Sequence, residues 1–587
     1  MQHIQLKTSK KSLVPVIAAS TVGTLIEWYD FYIFGILATI ISTKFFPKEN
    51  ATAAFLATLA TFAAGLLVRP FGALFFGRLG DLIGRKYTFM ITLVLMGGST
   101  FAIGLVPAYD TIGFWAPLTV LILRLLQGLA IGGEFGGAAT FVAEHSPPGK
   151  RGFWTSWIQM TGGFGLVVSF VVILVTKASL SPANWEAWGW RIPFLASVFL
   201  VVVSVIIRRN MAESPLFVKA KSEGKTSTNP LKESFGNKAN LKVVLLAIFG
   251  LTLGIGVVGY SSTFFVQSFL IKFLFVDYDQ VNLLLIIAFS LGAPFYIFFG
   301  WLSDYIGRKP LLMLSLLLSI ICFRPIYRQI YQTVNLENKI ENKPAAVLNV
   351  NRQFLSDGDS LITTTTQHFY TGGTICKEEK TQIIAAGKPD KIEIIKNVII
   401  NGKDFNALIF YLFLLMVIVT MSAGPAAAFL VEMFPLKIRY TSMSFPYHIG
   451  YGIFGGMSPF ISTYLIGKAK DAHSTEYFLA GLNYPIVLMT IAFIIGMLYL
   501  KENKTGKTGV LSSFTKSDKA KRFLGIIWIL LGLAALYLGI FQLGIPKISS
   551  GNQDDLIFGI IAMIIITPVV AGGLLLFGKY SLQGEYR

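Results

Sequence analysis

The stretch GRLGDLIGRK at residues 77–86 returns as GWLSDYIGRK at residues 300–309. Both copies fit G-x3-D-x2-G-R-K with unchanged spacing. A second pair follows the same order: EHSPPGKR at 144–151 and EMFPLKIR at 432–439, both E-x2-P-x3-R. Repetition of motifs in order marks a duplicated structural unit. Asp81 and Asp304 are 223 residues apart, whereas Glu144 and Glu432 are 288 apart. The 65 extra residues place an insertion in the second copy, between its two motifs.

The sequence around these motifs is suited to lipid. Of 587 residues, 54% are hydrophobic and 14% charged, against about 25% charged in an average soluble domain. Such a chain cannot cover its apolar side chains in water. A spanning helix needs about 20 apolar residues. Fourteen segments meet this: 14–42, 52–76, 87–107, 114–143, 153–177, 188–208, 242–274, 281–303, 310–331, 405–433, 442–467, 478–500, 522–545 and 555–578. Backbone in lipid must satisfy its own hydrogen bonds, so these are helices. The expected fold is therefore an all-α polytopic membrane protein. Two six-helix halves in the same orientation (13–208 and 242–500) are joined by a linker at 209–241. A second linker at 501–521 leads to two added C-terminal helices at 522–578. Parallel six-helix halves around a central cavity are the architecture of major facilitator transporters.

The net charge of +19 is explained by topology. Arg78, Arg85, Lys86, Lys150, Arg151, Arg208, Arg209, Arg308, Lys309, Lys437 and Arg439 cluster in loops of one face, and the positive-inside rule puts that face in the cytoplasm. A multi-pass protein of the cytoplasmic (inner) membrane is expected, with both termini cytoplasmic. The bilayer accounts for the basic residues, so no nucleic acid is expected as a partner. Cys322 and Cys376 are the two cysteines, and no spacing suggests a metal, cofactor or disulfide framework. Residues 332–404 are polar, with β-like runs such as KIEIIKNVIING. They read as a small folded insert on the outer face, with docking of an unknown partner left open. Nothing in it, including His368 and Cys376, has the arrangement of an enzyme site.

Charges inside spans single out functional positions, because each costs about 2.5–3.5 kcal/mol at mid-bilayer. Glu27 and Asp30 lie at i and i+3 of the first span and share a face. They are expected to face the cavity and carry a coupled proton, with a structural ion pair as the alternative. Glu134, within GGEFGG, is either a second titrating group or an interhelical hydrogen-bond partner. Arg124, with Gln127 one turn on, either holds an anionic substrate by a forked pair of hydrogen bonds or partners Asp30 or Glu27. Gln159, Tyr260, Gln267 and Tyr447 (with His448) are candidate cavity-wall residues. Arg69 and Pro70 read as shaping the second helix, and Arg191 as an interfacial anchor. The repeated motifs suggest gating: Asp81, Arg85, Lys86, Glu144 and Arg151 in the first half, and Asp304, Arg308, Lys309, Glu432 and Arg439 in the second.

GTLIEWYDFYIFG (23–35), RPFGALFFGRLGDLIGRK (69–86), RLLQGLAIGGEFGG (124–137) and WGWRIPF (188–194) together resemble the metabolite:proton symporters. That branch of the major facilitator superfamily includes shikimate, α-ketoglutarate, citrate and proline/betaine carriers. The resemblance covers roughly residues 13–500 and leaves out the insert and the last two helices. It implies proton-coupled symport by alternating access, and it gives the R-x2-Q-G element at Arg124 and Gln127 a central role. The expected partners are a small polar metabolite, the proton and the lipid bilayer. An organic anion (mono- or dicarboxylate) is the expected substrate. A zwitterionic osmolyte of the proline/betaine type and uncoupled facilitation are the alternatives.

Overall fold

The computed structural model describes residues 10–47, 51–209, 212–342, 347–354, 360–384, 391–502, 518–550 and 553–586. Most of the expected second linker, 503–517, therefore lies outside the described residues. Helix α1 (Lys10–Ile36) bends by 65° into Ala38–Phe45. Helix α2 runs as Ala51–Leu67 and Arg69–Leu82, broken at Val68 ahead of Pro70. Proline lacks the N–H that would continue the helical ladder, which accounts for the break. Then follow α3 (Arg85–Leu105), α4 (Trp115–His145), α5 (Arg151–Ala178) and α6 (Ile192–Arg209). The second half consists of α7 (238–273), α8 (Tyr278–Ile306), α9 (Arg308–Val334), α10 (Gly402–Met433), α11 (439–471) and α12 (Asn483–Tyr499).

Twelve helices among the described residues are long and apolar enough to cross a membrane, or thirteen with the bent first pair counted as one. The expectation of fourteen fails on this measure at 442–467. That segment does form a helix, α11, but a polar one. Its Tyr440, Ser442, Ser444, Tyr447 and His448 are buried, so it packs against protein from both halves and does not need an apolar surface for lipid.

The duplication is visible in the packing. In the first half α1 packs on α5 and α2 on α4; in the second α7 packs on α11 and α8 on α10. Between halves α2 crosses α11, and α5 crosses α8. Glycines permit the closest crossings. A Cβ on Gly256 of α7 would lie 2.5 Å from the Gly450 carbonyl oxygen of α11, and one on Gly77 of α2 would lie 2.8 Å from the Thr441 Cα.

The insert is folded. It occupies 335–401, slightly less than expected, because α9 extends to Val334 and α10 begins at Gly402. Strands β1 (Val347–Phe354), β2 (Ser360–Phe369), β3 (Ile375–Ile384) and β4 (Lys391–Ile399) form an antiparallel meander in sequence order. The insert lies at the opposite face from the GRLGDLIGRK and GWLSDYIGRK motifs; the two are called here the insert face and the motif face.

The added helices α13 (Asp518–Tyr537, continuing to Ile548) and α14 (553–582) pair through Gly525, Gly532 and Gly539. These glycines face Leu582, Leu575 and Thr567. The hairpin belongs to the second half: Phe577 packs on Tyr499 of α12, and Phe558 stacks on Tyr464 of α11 at 4.1 Å.

The α7–α11 contact gives a stability test. Gly256→Val should lower thermal stability in detergent by about 1–3 kcal/mol through overpacking. Gly98→Val, where nothing lies within 4 Å of the added Cβ, should be close to neutral. Equal losses for the two would reject the crossing as a close backbone contact.

Candidate functional site

At the motif face the two halves are locked by paired carboxylates. Asp81, in the last turn of α2, accepts hydrogen bonds from the Thr441 N–H (2.9 Å), the Thr441 hydroxyl (2.8 Å) and the Tyr440 N–H (3.3 Å). Those groups form the first turn of α11. Asp304, in the last turn of α8, accepts from the Gly152 and Phe153 N–H groups, both at 2.8 Å, in the first turn of α5. Each aspartate thus caps a helix of the other half, where unpaired N–H groups and the helix dipole favour an anion. Each also pairs with the arginine four residues on: Arg85 to Asp81 at 3.1 Å, and Arg308 to Asp304 at 3.2 Å.

The E-x2-P-x3-R motifs close the same circuit. Glu144 holds Arg439 of the other half at 3.1 Å and Arg85 of its own at 3.6 Å. Glu432 holds Arg151 of the other half at 3.5 Å and Arg308 of its own at 2.6 Å. Arg85 also donates to the Leu436 carbonyl across the seam. Lys86 and Lys309 differ from the expectation. Lys86 donates to the Arg209 carbonyl at the end of α6, and Lys309 to the Met497 and Leu500 carbonyls at the end of α12. Each satisfies a helix C-terminus within its own half. Sequence could not separate them from the arginines, because both lie in the same basic motif.

The linker reinforces this face. Glu213 accepts from the Arg85 and Lys86 N–H groups at the start of α3, and the Ser214 hydroxyl donates to Glu144. Lys437 pairs with Glu233 at 2.5 Å and, with Ser227, holds that carboxyl below the usual range.

In mid-membrane a second set of polar groups meets at the seam. Glu27 of α1 and Arg69 of α2 come from the first half, and Tyr260 of α7, Tyr447 and His448 of α11 from the second. All are buried. Arg69 is within electrostatic reach of Glu27, Tyr260, Tyr447 and His448. Buried polar atoms normally find partners. Here Glu27 Oε2 and Arg69 Nε have no hydrogen bond, while the Tyr260 hydroxyl lies within hydrogen-bonding reach of Arg69 and the His448 ring within reach of the Gly132 backbone. Gln159 of α5 lies within hydrogen-bonding reach of the Tyr451 hydroxyl of α11. Tyr447 stacks on Phe135 of α4 at 3.6 Å, bridging the halves.

Several expected site residues lie elsewhere. Arg124 donates to Gln127 at 2.7 Å and sits over the Phe34 and Phe62 rings, and Gln127 donates to Thr100. This cluster, with Asp30 beside Thr100 and Arg124, belongs to the interior of the first half. Glu27 and Asp30 therefore do not form a carboxylate pair; they address different arginines. The Asp30 carboxyl is buried, with the Thr100 hydroxyl as its hydrogen-bonding neighbour. Glu134 is in a buried pair with Arg208 at 2.7 Å and accepts from the Thr92 hydroxyl. Gln267 donates to Asn282 within the second half. Arg69, read from the sequence as shaping the second helix, and His448, read with Tyr447 as a cavity-wall candidate, both lie in this mid-membrane group. The signal was present for Arg69, an arginine inside a span at a helix break, where charge usually marks function.

Towards the insert face the seam is closed by aromatic rings. Phe264 of α7 stacks on Tyr32 at 5.8 Å and meets Phe31 edge-on at 6.0 Å. With the ion pairs at the motif face, this seals the polar centre at both ends.

A family model described as "Sugar (and other) transporter" matches residues 16–244, and one for a family of unknown function matches 517–587. The Proline/betaine transporter of Escherichia coli is 37% identical over 307 residues, covering 51% of this chain and 61% of that protein. The match thus spans about three-fifths of that relative's length. The Proline/betaine transporter of Salmonella typhimurium is 29% identical over 517 residues, covering 87% of this chain and 88% of the relative. The solved major facilitator proton:xylose symporter XylE superposes with a TM-score of 0.59 at 16% identity, over 84% of this chain and 96% of that one. This chain has the fold of that major facilitator symporter. The duplicated halves, the repeated motifs and the superposition agree on this multi-pass membrane fold. The matched transporter family and the named relatives are carriers, not enzymes.

The lock at the motif face can be tested in a Cys322→Ser/Cys376→Ser background carrying Ser156→Cys, since Ser156 is buried where α5 crosses α8. Asp304→Asn should increase labelling of that cysteine from the motif face several-fold, because losing one member of a buried pair costs about 3–5 kcal/mol. Unchanged labelling would show that the lock does not depend on the aspartate.

Proposed function

We propose that the chain is a proton-coupled symporter of a small zwitterionic solute, working by alternating access in a cytoplasmic membrane with the motif face inward. The observation that carries this reading is the convergence of buried polar groups from both halves at the seam, with Glu27 Oε2 and Arg69 Nε among them lacking a hydrogen bond. Arg69 offers a forked donor for a solute carboxylate. Tyr32, Tyr260, Phe264 and Tyr447 bring stacked aromatic rings to the same centre, and a ring face freed when the halves part would attract an ammonium or quaternary amine. The proline/betaine names of the relatives favour this class over an organic anion. The anion reading leaned on Arg124, which is engaged by Gln127 and two phenylalanine rings away from the seam.

Glu27 and Asp30 supply the proton sites in this proposal. Glu27 lies beside Arg69, so its protonation and the binding of a carboxylate by Arg69 are electrostatically linked: neutralising Glu27 frees the arginine for the solute. Asp30 has the same relation to Arg124. Release of solute and proton then lets the two halves rock, breaking the carboxylate contacts at one face and the aromatic contact at the other.

Uptake into proteoliposomes with an imposed inward proton gradient tests this. Proline and glycine betaine should accumulate, and mono- and dicarboxylates should not compete. Glu27→Gln or Asp30→Asn should abolish accumulation against a gradient, and Arg69→Gln should raise KM about ten- to a hundredfold, as expected for a lost charged hydrogen bond. Preference for carboxylates would restore the anion reading, and uptake indifferent to the proton gradient would establish uncoupled facilitation.

A further inference from the structure

The insert is not tethered loosely to the bundle. Helix α7 departs from regular α geometry at 248–252, 261–265 and 269–273, each a π turn. Such turns disturb the regular ladder and are places where helices bend. The second holds Phe264, which closes the seam at the insert face. Beyond the third, Phe275 takes a left-handed φ of 55°, and Val276 pairs in parallel with Val398 of β4. The Val398 N–H donates to the Phe275 carbonyl at 2.6 Å, and the Asp277 N–H donates to the Val398 carbonyl at 2.9 Å. The end of α7 is thereby stitched to the insert's sheet.

Side chains strengthen the seam. Asn397 Nδ2 donates to Asp277 at 3.0 Å, and Asp277 also caps α8. The Gln280 amide donates to the Ile400 carbonyl at 3.1 Å and accepts from the Ile400 N–H at 2.9 Å. Leu274, Val276, Cys376, Val398 and Ile400 are buried in one cluster continuous with the core of the second half. The sheet's other root is as firm. Asn401 caps α10, and Asp404 takes the ammonium of Lys339, which follows α9, and the Asn401 amide at 2.7 Å.

We propose that the insert is a strap that fastens the insert-face end of α7 to α9 and α10, and thereby sets how readily Phe264 leaves Tyr32 and Phe31. Opening that end of the seam requires α7 to bend at its π turns while its tip stays held by β4. The strap thus stabilises the sealed form. A solute arriving at the insert face meets a binding-competent state populated only in proportion to that bending, and its apparent affinity falls by the same factor.

The test uses the full chain. Gln280→Ala/Asn397→Ala removes the side-chain ties and leaves the strands intact. Hydrogen exchange of the amides at 269–276 should quicken about tenfold, in line with the loss of a few such bonds. The KM for solute from the insert face should fall several-fold, with the maximal rate less affected. Asn397→Asp, which sets a carboxylate against Asp277 without changing size, should act in the same direction. Lys396→Ala, which breaks the Lys396–Glu378 pair between β4 and β3 without touching Asp277 or Gln280, should change neither. Unchanged exchange at 269–276 in both strap variants overturns the proposal, and so does faster exchange with an unaltered KM. The KM arm rests on the transport reading; the exchange arm uses no solute. A parent chain that moves no solute would overturn that reading alone.

Discussion

The structure depends on carboxylates placed at the N-termini of helices from the opposite half. Asp81 holds the first turn of α11, and Asp304 holds the first turn of α5. A helix N-terminus presents unpaired N–H groups and partial positive charge. In a buried setting that makes an aspartate a strong fastening, one that still releases as a unit when the helices separate. Glycines at 77 and 300 allow the backbones to meet closely enough for these contacts. The same geometry occurs twice because the same sequence unit occurs twice.

At the other end the contact is of a different kind. Phe264 against Tyr32 and Phe31 is a ring contact with no ion pair, attached to a helix interrupted by π turns. One end of the seam is therefore charged and directional, the other soft and aromatic. Between them lie buried polar groups, Glu27 Oε2 and Arg69 Nε among them without a hydrogen bond. In lipid such groups are expensive, and here they converge from both halves. The insert and the α13–α14 hairpin both attach to the second half, at its end and its flank.

Much of this was legible in the chain. The two motif pairs established the duplication and located the insert within a few residues. The ten residues expected to gate come from the same motifs, and eight of them fall in the interlocking network at the motif face; Lys86 and Lys309 bond within their own halves, because a basic motif does not state which cation crosses a seam. The mid-membrane group was less legible in the sequence. Arg124 carries the stronger motif but turns inward between Phe34 and Phe62, while Arg69, beside a proline, looked structural. Glu27 and Asp30 share a helix face by spacing, yet neighbouring helices place different arginines before them.

The sequence by itself determined the membrane solvent, the number of repeating units, their relative direction and the identity of the charges at the motif face. Apolar length and motif spacing are one-dimensional quantities, and the bilayer and the helical rise convert them directly into architecture. Only the tertiary structure decided which intramembrane charges meet at the seam, that α11 is buried despite its polarity, and that β4 fastens the end of α7. Those outcomes depend on how helices rotate and cross, and rotation is set by packing against distant parts of the chain that no local pattern encodes.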